Sequence, residues 1–288
     1  MSEDGKRIAI GAMYYKGTGS NSGYAGQVRV FQWKNSSWEK MGTQFNGLNR
    51  LGENFSISGD GNTLAIHDKY DGKAKIYNWN GSTWSQIGNT ISTVVVVDGY
   101  DTSRGAGIKL NYDGTKVIIG EKKNGLLSIY TYNGSSWGSK NEISNIDGER
   151  FANDVSLSKD GNTLALSVDS SVVGSSQSLV RIYSWNDSSW VQKGEKIIGE
   201  YSLGDALKLN DDGSIIIIGT PRANVNAGNY SGKVSVYKWN ESEWIQLGND
   251  IEAQELNDYT GKSVSISGDG KLIAVGSPNH DSNRGNVR

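Results

Sequence analysis

Histidine and cysteine supply much of the acid–base and nucleophilic chemistry that runs at neutral pH. This chain is poor in both: His67 and His280 are its only histidines, and it has no cysteine. No glycine-rich phosphate loop stands between a strand and a helix. His67 follows an apolar run and reads as a loop residue rather than a base. Carboxylates are plentiful, but spacing singles out no acid–base pair. The expectation is a chain that is not an enzyme. Spacing does single out the aromatic residues. A W-x-x-x-x-W element recurs as Trp33/Trp38, Trp79/Trp84, Trp185/Trp190 and Trp239/Trp244, with Tyr132/Trp137 in the middle place. An indole face with an asparagine beside it can stack a pyranose ring, so Trp79, Trp84, Trp185, Trp190, Trp239 and Trp244 are candidate carbohydrate contacts. Two tryptophans flanking a four-residue loop also clasp a hairpin, adding roughly 0.5 to 1.5 kcal/mol beyond burial.

The elements that carry these pairs repeat. Successive aromatic elements are 46, 53, 53 and 54 residues apart, the range in which propeller blades fall. An Asp-Gly turn keeps step at Asp4-Gly5, Asp60-Gly61, Asp113-Gly114, Asp160-Gly161, Asp212-Gly213 and Asp269-Gly270. Each unit reads as four strands. An alternating stretch such as Phe55-Ser-Ile57-Ser leads into the Asp-Gly hairpin. An apolar run such as Val117-Ile-Ile119 follows, which implies a strand covered on both faces. A Gly-x-Val-x-Val-aromatic-x-Trp segment (Gly26 to Trp33, Gly232 to Trp239) comes third, and a short segment such as Trp84-Ser-Gln-Ile-Gly88 comes fourth. No apolar stripe of helical period persists, so essentially no helix is expected. The expectation is all-β: a β-propeller of four-stranded antiparallel blades, about five to seven of them, forming one domain over residues 1–288. The units, of about 52 residues, fall approximately at 1–50, 51–104, 105–151, 152–203, 204–260 and 261–288, the last partial.

Composition agrees. Glycine (38) is abundant and proline (2) scarce, as tight turns between short strands require. A net charge of −2 offers no basic footprint for nucleic acid. The valine run Val94 to Val97 is far too short to span a bilayer, so no membrane insertion is expected. The start, MSEDGKRIAI, lacks the n-region and h-region of a signal peptide. Asn-x-Ser/Thr sequons at Asn35, Asn80, Asn133, Asn186 and Asn240 coincide with the aromatic hairpins, where a tight turn selects asparagine anyway.

The units resemble FG-GAP repeats, the blade type of integrin α-subunit heads. Leu51-Gly52, Phe151-Ala152 and Leu203-Gly204 stand at that family's Phe-Gly place. Gly11-Ala12-Met13, Gly219-Thr220-Pro221 and Gly276-Ser277-Pro278 stand at its Gly-Ala-Pro place, whereas His67-Asp68-Lys69, Gly120-Glu121-Lys122 and Ser167-Val168-Asp169 depart from it. The resemblance implies an extracellular, cell-surface or virion protein that is a non-catalytic module for recognition, adhesion or assembly. A lectin using the Trp-rich hairpins is the alternative. Its partners would be a protein or a glycan on a surface. Family members often place calcium at the Asp-Gly turn. Here the nearest approaches are Asp211 and Asp212 in Asn210-Asp211-Asp212-Gly213, and Asp281 in the oxygen-rich Asn279-His-Asp-Ser-Asn283. Those three aspartates are the candidate metal residues, with no other cofactor expected. The second-strand pattern occurs at both ends, which together with the resemblance implies a fragment of a longer propeller. The stub Gly285 to Arg288 would then offer an edge strand for self-association.

Overall fold

A computed structural model of the chain describes residues 1–17, 24–48, 50–68, 70–93, 107–121, 125–144, 150–169, 177–200 and 202–288. The fold is an all-β, six-bladed β-propeller of small antiparallel sheets. The first sheet holds β1 (Arg7–Ala12), β2 (Gln27–Lys34), β3 (Ser37–Lys40) and β4 (Phe45–Asn46). The second holds β5 (Asn54–Ile57), β6 (Thr63–Asp68), β7 (Lys73–Trp79), β8 (Trp84–Gln86) and β9 (Ile91–Ser92). The third holds β10 (Ile108–Leu110), β11 (Lys116–Glu121), β12 (Leu126–Tyr132) and β13 (Trp137–Ser144). In the fourth are β14 (Arg150–Leu157), β15 (Thr163–Asp169), β16 (Gln177–Trp185), β17 (Trp190–Gln192) and β18 (Ile197–Glu200). In the fifth are β19 (Ala206–Leu209), β20 (Ile215–Thr220), β21 (Lys233–Trp239), β22 (Trp244–Gln246) and β23 (Ile251–Glu252). The sixth has β24 (Ser263–Ile266), β25 (Ile273–Ser277) and β26 (Asn286–Val287). The single helical turn, α1 (His280–Asn283), is the sole helix among the described residues, and none is long and apolar enough to cross a membrane. The valine run Val94 to Val97 and Lys122 lie outside the described residues.

Two compact units divide the chain, one carrying the first three sheets and the other the last three. Within each, apolar faces of successive sheets meet. In the first unit, Val28, Val30 and Leu51 pack on Leu64 and Ile66, while Ala74 and Ile76 pack with Ile108, Val117 and Ile119. In the second, Val180 and Ile182 pack on Leu207, Ile216 and Ile218, and Ile217 and Val234 pack with Ile266 and Val275. The central strands are closed on both faces, as their unbroken apolar runs require: Val117, Ile118 and Ile119 have no exposed surface, nor have Leu164, Ala165 and Leu166. The runs in β1 and before β25 are less enclosed, Ile10 being 42 % and Leu272 74 % exposed. Each belongs to an outer sheet of its unit, with one neighbouring sheet inside that unit.

The repeating small residues have a bonding role between sheets. Ser56 Oγ accepts the Leu110 N–H and Ser156 Oγ accepts the Leu209 N–H, both at 3.0 Å. Each Asp-Gly hairpin ties its own carboxylate down. At the second sheet, the Ser58 hydroxyl donates to Asp60 Oδ1, the Asn62 N–H donates to the same oxygen, and the Thr63 N–H donates to Ser58 Oγ. The same set recurs around Asp4, Asp160 and Asp269, and asparagine replaces the serine beside Asp113 and Asp212.

Two details differ from expectation. The fourth strand is split: β8 and β9 both pair with β7, separated by Gly88 at φ +65°. A non-glycine residue is strained there, so the interruption is a built-in bulge. His67 is a strand residue in β6, not a loop residue; it is buried and its Nε2 lies 2.9 Å from Thr93 Oγ1. It stands where β1, β11, β20 and β25 have glycine, and β6 continues through it as those strands continue through theirs. The terminal stub forms β26, which pairs with β25 as the outer strand of the sixth sheet.

Candidate functional site

The aromatic hairpins are clasps. Trp79 and Trp84 lie directly opposite across the ladder with ring centroids 5.4 Å apart; Trp185/Trp190 (5.7 Å) and Trp239/Trp244 (5.5 Å) repeat the arrangement. The second indole of a pair also reaches the preceding sheet. Trp84 Nε1 donates to the Met41 carbonyl (3.1 Å), Trp137 Nε1 to Ile87 (3.0 Å) and Trp244 Nε1 to Lys193 (2.9 Å). The indole N–H and much of the ring are thus engaged within the protein. Trp33 and Trp38 remain about half open, at 46 % and 42 % exposed. The sequon asparagines serve the turns: Asn80 Oδ1 accepts the N–H groups of Ser82 and Thr83, and Asn133, Asn186 and Asn240 do the same in their hairpins.

The three aspartates singled out for metal do not converge. Asp211 Oδ2 faces Lys159 Nζ at 3.3 Å. Asp212 accepts the Ser214 N–H at 2.8 Å, and hydrogen bonds from Ser214 hold its carboxyl below the usual carboxylate range. Asp281 Oδ2 is 2.9 Å from Arg284. The oxygen-rich loop does, however, bring other donors together. His280, at the start of α1, meets Asp258 and Glu255 from the β23–β24 connection.

Asp258 is 1 % exposed. Its Oδ2 accepts the backbone N–H groups of Gln254 (3.2 Å) and Glu255 (3.0 Å), and both its oxygens lie 3.2 Å from His280 Nδ1. Glu255 Oε2 is 3.8 Å from the same nitrogen and accepts the Asp281 N–H at 3.3 Å. A cramped backbone holds this corner: Asn257, Tyr259, Asp281, Ser282 and Asn283 all take positive φ. Tyr259 and Tyr230 stack at 6.3 Å beside it. The His280 side chain is 19 % and Glu255 54 % exposed, so the site opens to solvent on the Glu255 side. A carboxylate anchored by two amides and bonded to Nδ1 orients the ring, directing Nδ1 at Asp258 and leaving Nε2 on the far side. That is the arrangement of an oriented general base. One ligand atom from each of Glu255, Asp258 and His280 also falls within 4.8 Å of the others, a donor set that fits a divalent cation. Sequence reasoning noticed the loop but missed Glu255 and Asp258. The available signal was His280 itself, one of only two histidines, standing just after the second strand of its unit.

No protein-family model matches the chain, and no curated protein matches it by sequence. Solved structures match its fold. A periplasmic gluconolactonase of Pseudomonas aeruginosa is 13 % identical with a TM-score of 0.62, covering 97 % of this chain and 77 % of the other. The hydrazine synthase of Kuenenia stuttgartiensis is 14 % identical with a TM-score of 0.61, covering 88 % and 68 %. A Lactobacillus plantarum protein is 16 % identical with a TM-score of 0.59, covering 98 % and 81 %. At these identities the likeness shows the fold alone. Because the same fold carries an enzyme, the propeller gives no ground for a chain that is not an enzyme, and that expectation is corrected together with the reading as a non-catalytic recognition, adhesion or assembly module or a lectin. The architecture is shared with a gluconolactonase. Scarcity of histidine does not exclude an oriented one: His280 is held against the buried Asp258 carboxylate.

Proposed function

We propose that the chain is a hydrolase that opens a small cyclic ester, using water activated at His280. The observation that carries this reading is the buried Asp258 carboxylate, pinned by two backbone amides and bonded to His280 Nδ1. Water gives a proton to His280 Nε2 and its oxygen attacks the ester carbonyl carbon. The ring C–O bond then breaks, and the leaving oxygen takes the proton back from the imidazolium. Asp258 and Glu255 stabilise the positive ring formed in between. The lactone class is supported by the fold shared with a gluconolactonase. An FG-GAP-like blade is supported separately by Gly11 against Gly52 and Gly219 against Gly261, the motif glycines of adjacent sheets.

The test is lactone hydrolysis by the full chain, followed with glucono-1,5-lactone in a pH-stat against the spontaneous rate. Wild type accelerates ring opening, and His280→Gln and Asp258→Asn each lower kcat by about 10²- to 10⁴-fold with the circular dichroism unchanged. Undiminished turnover by His280→Gln would overturn the reading. The close donor set favours one second reading, in which Glu255, Asp258 and His280 hold a divalent cation that activates the water. Activity lost in EDTA and restored by manganese or zinc would select it.

A further inference from the structure

The first unit contains a cleft of about 620 Å³ between the Gln44–Leu48 segment and one face of the second sheet, within the usual range for small-molecule sites. Alternation along β6 and β7 sets that face. Ile66 pairs with Lys75, Asp68 with Lys73 and Leu64 with Tyr77, so Lys73, Lys75 and Tyr77 project to the same side. Phe45 closes the apolar wall, 4.7 Å from the Tyr77 ring. Lys73 is paired with Asp71 at 2.8 Å. Among the described residues, neither the Lys75 ammonium nor the Tyr77 hydroxyl has a hydrogen-bond or ion-pair partner. Burial pushes the Tyr77 phenol up, which keeps it protonated as a donor. Two donors two positions apart on one strand therefore face a cleft with nothing of the protein to receive them.

The fifth sheet shows what that place accepts. Counting from the aromatic clasp, Lys233, Ser235 and Tyr237 stand where Lys73, Lys75 and Tyr77 stand in the second sheet, and Gln246 corresponds to Gln86. There Asp250 completes the face: its carboxylate accepts from Ser235 Oγ (2.6 Å) and Gln246 Nε2 (2.7 Å) and meets Lys233 Nζ at 3.1 Å. In the second sheet the residue at that place is Thr90, which receives only Gln86 Nε2 at 3.2 Å. The carboxylate is missing while donors remain and the cavity is open.

We propose that this cleft binds a small aromatic carboxylate. Its anionic group takes the place that Asp250 fills in the fifth sheet, bridging Lys75 and Tyr77, and its ring lies along Phe45 and Ile66. A singly charged carboxylate fits better than a phosphate because Asp68 and Asp71 line the same cleft as Lys73 and Lys75, so the lysines offer no surplus of positive charge for a dianion. The inference is independent of the hydrolase reading and stands or falls on binding alone.

The experiment is calorimetric titration of the full chain with 4-hydroxybenzoate, with 4-hydroxybenzyl alcohol as the probe lacking the carboxylate and inorganic phosphate as the probe lacking the ring. The benzoate is expected to bind at least tenfold more tightly than either. Lys75→Gln weakens it about tenfold and Tyr77→Phe several-fold. The deciding variant is Thr90→Asp, which rebuilds the fifth-sheet arrangement inside the second: it abolishes benzoate binding and raises the melting temperature. No binding by wild type, equal binding of the alcohol or of phosphate, or undiminished benzoate binding by a folded Thr90→Asp protein each overturns the proposal.

Discussion

At the scale of single residues, the tightest constraints are where backbones of adjacent sheets touch. A Cβ added at Gly219 would strike the Gly261 carbonyl oxygen, and one at Gly11 would strike that of Gly52. These are backbone atoms just ahead of the first strands of the neighbouring sheets, with little room to retreat. Gly219→Ala is therefore expected to cost about 1 to 3 kcal/mol, the range of an overpacked core. A urea melt should show a lower midpoint with an unchanged slope; an unchanged midpoint would mean that the sheets slide apart at no cost. Asp258 is the other residue of this kind. Asp258→Ala leaves the Gln254 and Glu255 N–H groups without their acceptor and is expected to destabilise the corner by about 1 to 3 kcal/mol, measurable as a drop in melting temperature. Asp258→Asn keeps an acceptor oxygen and is expected to cost less, which is why it is the variant for kinetics.

At the scale of elements, the indole clasp and the Asp-Gly hairpin do most to define a blade. Trp84→Phe keeps an aromatic ring opposite Trp79 but removes the donor to Met41, and is expected to cost about 1 kcal/mol or more, read from chemical denaturation. The hairpins make a pH prediction. Hydrogen bonds from Ser2 and the Lys6 N–H hold Asp4 below the usual carboxylate value, and those from Ser267 and the Lys271 N–H do the same for Asp269. Burial pushes Asp113 up, but the Thr115 hydroxyl and N–H outweigh it and the net direction is down. Carboxylates lowered by folding contribute stability above the unfolded value of 3.8 and lose it as pH falls through the folded value. Denaturation midpoints should hold from neutral pH to about 5 and fall steeply below about 4. Asn at Asp4, Asp113, Asp212 and Asp269 together should lower the plateau and flatten that fall.

These elements were also the legible ones. The tryptophan spacing, the Asp-Gly turns and the apolar runs locate the clasps, hairpins and central strands because each is set by residues close in the chain. The split of the fourth strand was less legible, since Gly88 in the sequence looks like the end of a strand rather than a bulge within one. The candidate site was least legible. Glu255 and Asp258 meet His280 only after two strands have folded between them, and nothing periodic announces an arrangement that occurs in one sheet. The missing carboxylate at Thr90 becomes visible only when two sheets are superposed in register.

At the scale of the whole molecule, sheets within each unit are held by those beside them through apolar faces, and at particular pairs through a serine acceptor or an indole donor. Stability in such a chain is close to a sum over sheets and their contacts. A lesion should then be felt locally: Gly219→Ala is expected to lower hydrogen-exchange protection most in β20, β24 and β25, with β6 and β11 nearly unaffected. Uniform loss of protection across the chain would show a single cooperative block instead.

The connection between the second and third strands of a sheet varies in length, and where it is long it reaches the next sheet, the Leu51 N–H donating to the Ala25 carbonyl and the Thr260 N–H to that of Ser231. It runs directly from Asp68 to Lys73 in one sheet, but is drawn out between Thr220 and Lys233 in another and carries His280 in a third. It behaves as an exchangeable fitting on a standard frame. Transplanting such a segment to its counterpart, together with the residues it meets in the next sheet, should leave the frame intact, so new chemistry can be tried in one position without refolding the rest.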